Sequence, residues 1–316
     1  MPVWSLWPWS FSIPWLENVH VRQSLKRDDA VINRLTDHKD DASPGLELEA
    51  LRACASRLRG RIISLSHARK APHLGSCLSC VDILVAAYWT ALDINPACPD
   101  DPKRDRFILS KGHAALALYC TLAERGILDE ELLNTFNTSG TKLPEHPAAG
   151  GIPGIEAATG SLGHGLPIGV GLALGARIRQ EGFRTVVVLS DGECNEGSVW
   201  EAALMAAAQG LDRLTAVVDY NKWQATGRSN EVLGLAPLAE KWRSFGWNTI
   251  ELDGHDMAAL KSGFAEAENR NGKPTVLIAH TIKGKGVSFM EDDNNWHYRI
   301  PTADEVKSAC IELGLS

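Results

Sequence analysis

Two rhythms of apolar and polar positions run along this chain, and the points where they switch predict its elements. The run Val186, Val187, Val188, Leu189 has no polar face, as expected of a strand covered on both sides. It stops at the polar turn Ser190-Asp191-Gly192. A helical pattern over 198–209 follows, and Gly210 closes it. A second apolar run over 214–219 leads to Asn221. Strand, helix and strand predict a βαβ unit with parallel neighbouring strands. Residues 107–109, 247–252 and 275–280 predict further strands. Helical spacing covers 46–65, with Arg52, Arg57 and Arg59 on its outer face, and 80–92 after a loop over 70–79. Thr302 and Glu305 read as a capping box opening a last helix that ends near residue 313. The fold class is α/β: a doubly wound, mainly parallel sheet with helices on both faces.

Chemistry gathers where strands end. Parallel neighbours bring Asp191 and Asn221 out at the same edge of the sheet. A carboxylate and an amide oxygen are hard ligands that suit Mg²⁺ or Ca²⁺, and few are needed when a phosphorylated ligand supplies the rest. Gly192 lets a phosphate approach the backbone, and the following helix turns its amino end toward the anion. On residues alone, Asp-Gly is equally an ordinary turn and Asn221 an ordinary loop residue. Histidines sit in other loops: His73 before a helix, His113 after the strand at 107–109, and His146 between two prolines in Pro144-Glu-His-Pro147. Taken singly, each reads as a satisfied loop residue. The glycines of Thr159-Gly-Ser-Leu-Gly-His-Gly165 precede an Ala- and Gly-rich helix. They leave backbone groups open to a planar ligand.

Bulk properties narrow the partners. The net charge of −7 over 316 residues argues against nucleic acid, which demands a basic face. The seven cysteines are odd in number, and Cys77-x-x-Cys80 lacks a second pair for zinc, so both read as packing or surface residues. The expectation is a reduced, cytoplasmic protein. Residues 1–15 hold four tryptophans and three prolines, with neither a basic n-region nor an unbroken apolar run. That fits neither a signal peptide nor a membrane span. Residues 1–45 read as a weakly ordered extension or linker and 46–316 as the domain.

As an ordered set these motifs resemble those of transketolases. The set comprises His73-x-Gly, Asp105-Arg-Phe-x-Leu-Ser-x-Gly-His113, His146-Pro, Thr159-Gly-x-Leu-Gly-x-Gly and Asp191-Gly…Asn221. It continues with Asp253-Gly-His-Asp256, Thr281-Ile-Lys-Gly-Lys-Gly286 and Trp296-His297. The Asp-Gly…Asn pair resembles the fingerprint of thiamine diphosphate enzymes. Ser190, Leu74 and His164 depart from it, standing where Gly, Pro and Gln are usual. The resemblance spans roughly residues 50–316 and is to the amino-terminal half of transketolase, in the form encoded as a separate subunit.

The resemblance implies that Asp191, Asn221 and the Trp223 carbonyl bind the metal. Gly192 and Glu193 would abut the diphosphate, and the Gly160-Ser161-Leu162 backbone would face the aminopyrimidine. His113 and His297 would lie against the cofactor, and His73, His146 and His297 would line the sugar site. The implied reaction is transfer of a two-carbon ketol unit from a ketose to an aldose, using thiamine diphosphate and Mg²⁺ (or Ca²⁺). The activating glutamate and the sugar-phosphate grip belong to the other half. The chain is therefore expected to need a partner subunit carrying the pyrimidine-binding and carboxyl-terminal domains, as α₂β₂. Two alternatives stand beside it: a thiamine diphosphate subunit with a 2-oxo acid or a modified sugar as donor, and a non-catalytic cofactor-binding scaffold. Lys283 and Lys285 read equally as a cover for the diphosphate or as solvated residues. His255 and His280 read as core or hinge residues.

Overall fold

The computed structural model describes residues 44–148 and 150–315, with side chains from residue 47. The extension expected over residues 1–45 lies outside the described residues up to residue 43. Pro44 and Gly45 already belong to helix α1 (Pro44–Arg69), which ends where Lys70 turns left-handed at φ 54°. Arg57 and Arg59 of α1 are buried rather than on its outer face. Each has a carboxylate partner: Glu124 lies 3.0 Å from Arg57 and Asp82 lies 2.5 Å from Arg59. Burial of an arginine is tolerable when it is paired in this way.

The next segment corrects a second expectation. Residues 70–79 are not all loop, and 80–92 is not one helix. The chain forms α2 (Leu74–Ser79), α3 (Val81–Ala86) and a π-turn (Ala87–Ala91). Every residue of α2 and α3 is buried. Burial on all sides holds these short helices together where propensity alone would not.

Five strands make the sheet: β1 (Arg106–Leu109), β2 (Thr185–Ser190), β3 (Leu214–Tyr220), β4 (Asn248–Asp253) and β5 (Thr275–His280). Their order is β1-β2-β3-β5-β4 and every pairing is parallel. Helices α4 (Ala115–Glu124), α5 (Glu130–Leu133), α6 (Gly165–Ile178), α7 (Gly197–Ala208), α8 (Ser229–Val232), α9 (Leu238–Ser244), α10 (Met257–Ala267) and α11 (Ala303–Glu312) connect and follow them. The capping box at Thr302 and Glu305 is formed.

Alternate strand residues point to opposite faces. On one face Val187 and Leu189 of β2, Ala216 and Val218 of β3 and Val276 and Ile278 of β5 pack with α6, α7 and Trp242. On the other face α10 comes close. A Cβ added to Gly263 would stand 2.6 Å from Leu252 Cδ2 and 3.5 Å from Leu277 Cδ2. Helices on both faces explain why β2 is buried along its whole length. Among the described residues no helix is long and apolar enough to cross a membrane.

Because every strand points the same way, all carboxyl ends open at one edge. Ser190 pairs with Asp219 and Tyr220 with His280, so Asp191, Asn221 and Thr281 leave the sheet side by side. Ligands bind at this edge in open α/β sheets.

Candidate active site

Asp191 follows β2 and is fully buried. Its Oδ1 accepts from Gly192 N at 2.9 Å, and its Oδ2 accepts from Lys222 N at 2.7 Å and Ser229 Oγ at 2.8 Å. The carboxylate therefore ties the end of β2 to the loop after β3, where Asn221 lies. Lys222 takes a left-handed backbone (φ 70°) that bends this loop back toward Asp191. Asn221 is buried, and its Oδ1 accepts from Trp223 N at 3.0 Å. Burial pushes the Asp191 carboxyl up to about 6, against the hydrogen bond from Ser229 and with added repulsion from Asp219. A buried carboxylate held at such a cost is relieved by a cation.

Among the described residues no group of three His, Cys, Asp or Glu side chains is placed to hold a metal by itself. The side-chain oxygens here are the Asp191 carboxylate and the Asn221 amide. That suits a hard cation whose other ligands come from a phosphate or water. A Cβ on Gly192 would meet Gln224 Cγ at 3.0 Å, and Gln224 Nε2 is a buried donor with no protein acceptor. An unspent N–H beside a glycine backbone fits an anionic ligand, so the residues present match a diphosphate and its ion.

A 3₁₀ turn (Gly192–Asn195) stands between Asp191 and α7, which starts at Gly197, within a residue of the expected 198. Glu193 is fully buried. Its carboxylate accepts from Ser110 Oγ, from Gly163 N at 2.9 Å and from Ser190 N at 3.3 Å. Those bonds occupy it as a brace between the loops after β1 and β2 and the glycine loop before α6. The glycine loop presses on the end of β1. A Cβ on Gly112 would stand 2.5 Å from Gly160 N, and Thr159 Oγ1 donates to Leu109 O at 2.7 Å. Gly160 has φ +133°, and a Cβ there would stand 2.5 Å from His146 Cδ2. Ser161 is exposed and Leu162 half-buried.

The four histidines converge. The His73 ring centroid lies 5.5 Å from His113, 5.8 Å from His146 and 5.0 Å from His297; His113 lies 5.8 Å from His297. His73 occupies the N-cap of α2 with φ 65° and makes no side-chain cap. Its N–H donates to His297 O at 2.7 Å and its carbonyl accepts from Cys77 N at 3.0 Å. The Glu145 carboxylate lies 3.1 Å from His73 Nδ1. Burial lowers His73, His113 and His297, and Lys283 lowers all three further; His297 falls to about 3. These imidazoles are neutral near pH 7. Each offers one N–H and one lone pair, which suits sugar hydroxyls.

Beneath the histidines lies a hub that the sequence reading missed. Lys111 and Asp219 are both fully buried and ion-paired. Lys111 Nζ also donates to Ser76 O at 2.9 Å, and Asp219 accepts from Ser79 Oγ at 2.6 Å and from Thr281 Oγ1. The signal was an acid inside an apolar strand, Val217-Val218-Asp219-Tyr220. The two lysines of the 281–286 loop part ways. Lys283 is fully buried, 3.1 Å from His297 Nδ1, whereas Lys285 is half-exposed and pairs with Glu291 at 3.1 Å. Lys283 falls to about 8 through burial and repulsion from Lys111, opposed by Asp191 and Asp219. Its charge therefore lies within reach of both the Asp191 side and the histidine side. His255 bridges Asp82 (2.7 Å) and the Ile282 N–H (2.8 Å), anchoring the same loop. Arg228 pairs with Asp292 (2.6 Å) and stacks 3.8 Å from the Trp223 ring centroid. This clamp joins the loop after β3 to the one after β5. Cys77 and Cys80 are buried packing residues.

Comparison with known proteins agrees with this architecture. Residues 52–316 match the family model described as "Transketolase, thiamine diphosphate binding domain". The chain is 39% identical over 268 residues to a Phocaeicola vulgatus protein named as an apulose-4-phosphate transketolase subunit, covering 85% of this chain and 95% of the relative. It is 42% identical over 241 residues to "6-deoxy-6-sulfo-D-fructose transketolase subunit SqwG" of Clostridium sp., covering 76% and 88%. Among solved structures, transketolase from Pichia stipitis in complex with a sedoheptulose phosphate superposes with TM-score 0.77 at 29% identity, covering 84% of this chain and 41% of that one. Transketolase from Campylobacter jejuni gives 0.75 at 26%, covering 83% and 42%. The chain thus spans about two fifths of the solved transketolases it matches.

Proposed function

The chain belongs to the transketolase family, and from that premise we propose that it is the thiamine-diphosphate-binding subunit of a two-component transketolase. It moves a two-carbon ketol unit from a ketose to an aldose. The observation that carries this reading is one sheet edge holding both halves of the chemistry. A buried Asp191 tied to the Asn221 loop stands on one side and the four clustered histidines on the other, with Lys283 between them.

When bound, thiamine diphosphate supplies the nucleophilic carbon and the electron sink. The Asp191 carboxylate, the Asn221 amide oxygen and the Trp223 carbonyl would hold Mg²⁺ (or Ca²⁺). The Gly192 backbone and Gln224 Nε2 would face the diphosphate, with Glu193 bracing from beneath. The Gly160-Ser161-Leu162 backbone would face the aminopyrimidine. His113 and His297 would lie against the cofactor, and His73 and His146 would hold sugar oxygens. A neutral imidazole both accepts and donates, so His73, His113 and His297 can each pass a proton without burying a charge. Residues 46–316 form the functional domain.

A separate subunit supplies the pyrimidine-binding and carboxyl-terminal domains, in an α₂β₂ assembly. One feature supports a partner: the relatives named as subunits are matched over 95% and 88% of their own length. The names of those relatives, for apulose-4-phosphate and a sulfo-fructose, favour a modified ketose as donor. Seven free cysteines fit a cytoplasmic setting. The test is ketol transfer from a panel of ordinary and modified ketoses, with thiamine diphosphate and Mg²⁺, with and without the product of the neighbouring gene. Transfer only with the neighbour is expected. Turnover of 2-oxo acids but not ketoses would move the chain to another donor class. Cofactor binding without any turnover would leave a scaffold.

A further inference from the structure

We propose that Lys283 is a positioning residue that locks the His297 imidazole in the tautomer carrying its proton on Nε2. A primary amine in its charged form has three donors and no acceptor. Two acceptors stand within reach of Lys283 Nζ: Asn294 Oδ1 at 2.7 Å and His297 Nδ1 at 3.1 Å. The Asn294 amide is oriented independently, because its Nδ2 donates to Ala225 O at 3.1 Å. Its oxygen must therefore face Nζ. Donation runs in one direction, from Asn294 to Ala225 and from Lys283 to both Asn294 and His297. A nitrogen facing a donor presents its lone pair, so the His297 proton resides on Nε2. Nε2–H is then the donor His297 offers to a ligand.

Lys283 has no freedom to leave. It is fully buried, and a Cβ on Gly75 would stand 3.1 Å from its Cγ. Its loop is pinned by Gly284 N to Gly75 O (2.9 Å), Asp292 N to Lys283 O (2.8 Å) and Ile282 N to His255 Nε2 (2.8 Å). Burial, and after it the charges of Lys283 and Lys111, keep His297 neutral, so the lysine chooses between two tautomers rather than against an imidazolium. The use of this donor in turnover rests on the transketolase reading; the tautomer itself does not.

The experiment is long-range ¹H–¹⁵N NMR on the full chain labelled with ¹⁵N-histidine, with His297 assigned by its loss in His297→Gln. It needs no substrate, partner or turnover, so its outcome is separable from that of the transfer assay. The expected wild-type spectrum has a protonated Nε2 and an unprotonated Nδ1 for His297. Lys283→Met loses the single-tautomer pattern, and Lys283→Arg, which restores a donor, keeps it. A wild-type Nδ1–H tautomer, or a fast-exchanging mixture, overturns the proposal. So does an unchanged pattern in folded Lys283→Met. Should Lys283→Met fail to fold, the wild-type and Lys283→Arg spectra still decide.

Discussion

Replacing Lys111 by methionine removes one charge from a pair that water does not reach. Lys111 and Asp219 are each 0% exposed. After the change Asp219 keeps its bonds from Ser79 Oγ (2.6 Å) and Thr281 Oγ1 but loses its ion-pair partner. Breaking a buried pair from one side costs about 3–5 kcal/mol, because the remaining charge stays buried. The Ser76 carbonyl loses its bond from Lys111 (2.9 Å) but still accepts from Ser79 Oγ at 3.1 Å, so it adds little. For a chain of this size roughly 2–4 °C of Tm is lost per kcal/mol, so Lys111→Met is expected to melt roughly 6–20 °C lower. The assay is urea and thermal unfolding of the full chain near pH 7, with Asp219→Asn and the double variant completing a cycle. The double variant removes both charges and should cost less than the two single losses combined. A Lys111→Met cost below about 1 kcal/mol, or strict additivity, would refute the reasoning. Burial pushes Asp219 up, yet Lys111 outweighs it and holds the carboxyl below its ordinary range. That contribution is present above the ordinary carboxylate pKa and lost as pH falls through the lowered one. Lys111 is raised above its ordinary value by Asp219, against burial, so its share is lost only as pH rises through the raised pKa. Between about pH 5 and 9 the pair contributes a constant amount.

Other expectations follow from the same geometry. Asp191→Asn replaces two anionic oxygens by one neutral oxygen and should weaken Mg²⁺-dependent thiamine diphosphate binding by at least about tenfold, about 1.4 kcal/mol. Calorimetry checks this, and unchanged affinity would remove Asp191 from the ion site. In the wild type, ion affinity should fall as pH drops through about 6, where Asp191 takes up a proton. Gly112→Ala drives a Cβ to 2.5 Å from the Gly160 backbone nitrogen, which no side-chain rotation relieves. A loss of about 1–3 kcal/mol is expected, and an unaltered melting curve would show that the glycine loop is looser than it looks. His73, His113 and His297 are all lowered by burial. Below the ordinary histidine pKa the unfolded chain binds protons that the folded chain does not, so stability should decline as pH falls from about 6.5. Urea midpoints at about pH 7 and pH 5.5 measure the decline, and equal midpoints would contradict neutral burial.

The strands were legible because their apolar runs are unbroken: β5 falls on 275–280 as expected, and β2 and β3 differ from the reading by a residue at their ends. Helix α2 was not legible. Gly75 and Ser76 are weak helix formers, and what holds the turn is distant, including the bond from Gly284 N to Gly75 O at 2.9 Å. Arg57 and Arg59 were misplaced for a similar reason. Periodicity does not see Glu124 or Asp82, which lie 67 and 23 residues along the chain. The candidate site was visible as motifs, because histidines and glycines at strand ends stand out one by one. Its undercarriage was not. Lys111 and Asp219 are 108 residues apart, and no local pattern pairs them. The difference between Lys283 and Lys285 is likewise a matter of which way a loop folds over its neighbours.

The left-handed backbone of His73 has a consequence for how this chain can change. At φ 65° a residue with a Cβ carries a steric burden that glycine escapes. His73→Gly should therefore raise the unfolding free energy by up to about 1 kcal/mol while deleting an imidazole from the cluster. Robustness and reactivity pull in opposite directions at this single position. Improvement of the chain for heat tolerance alone would tend to discard the very side chain that gives the cleft its character.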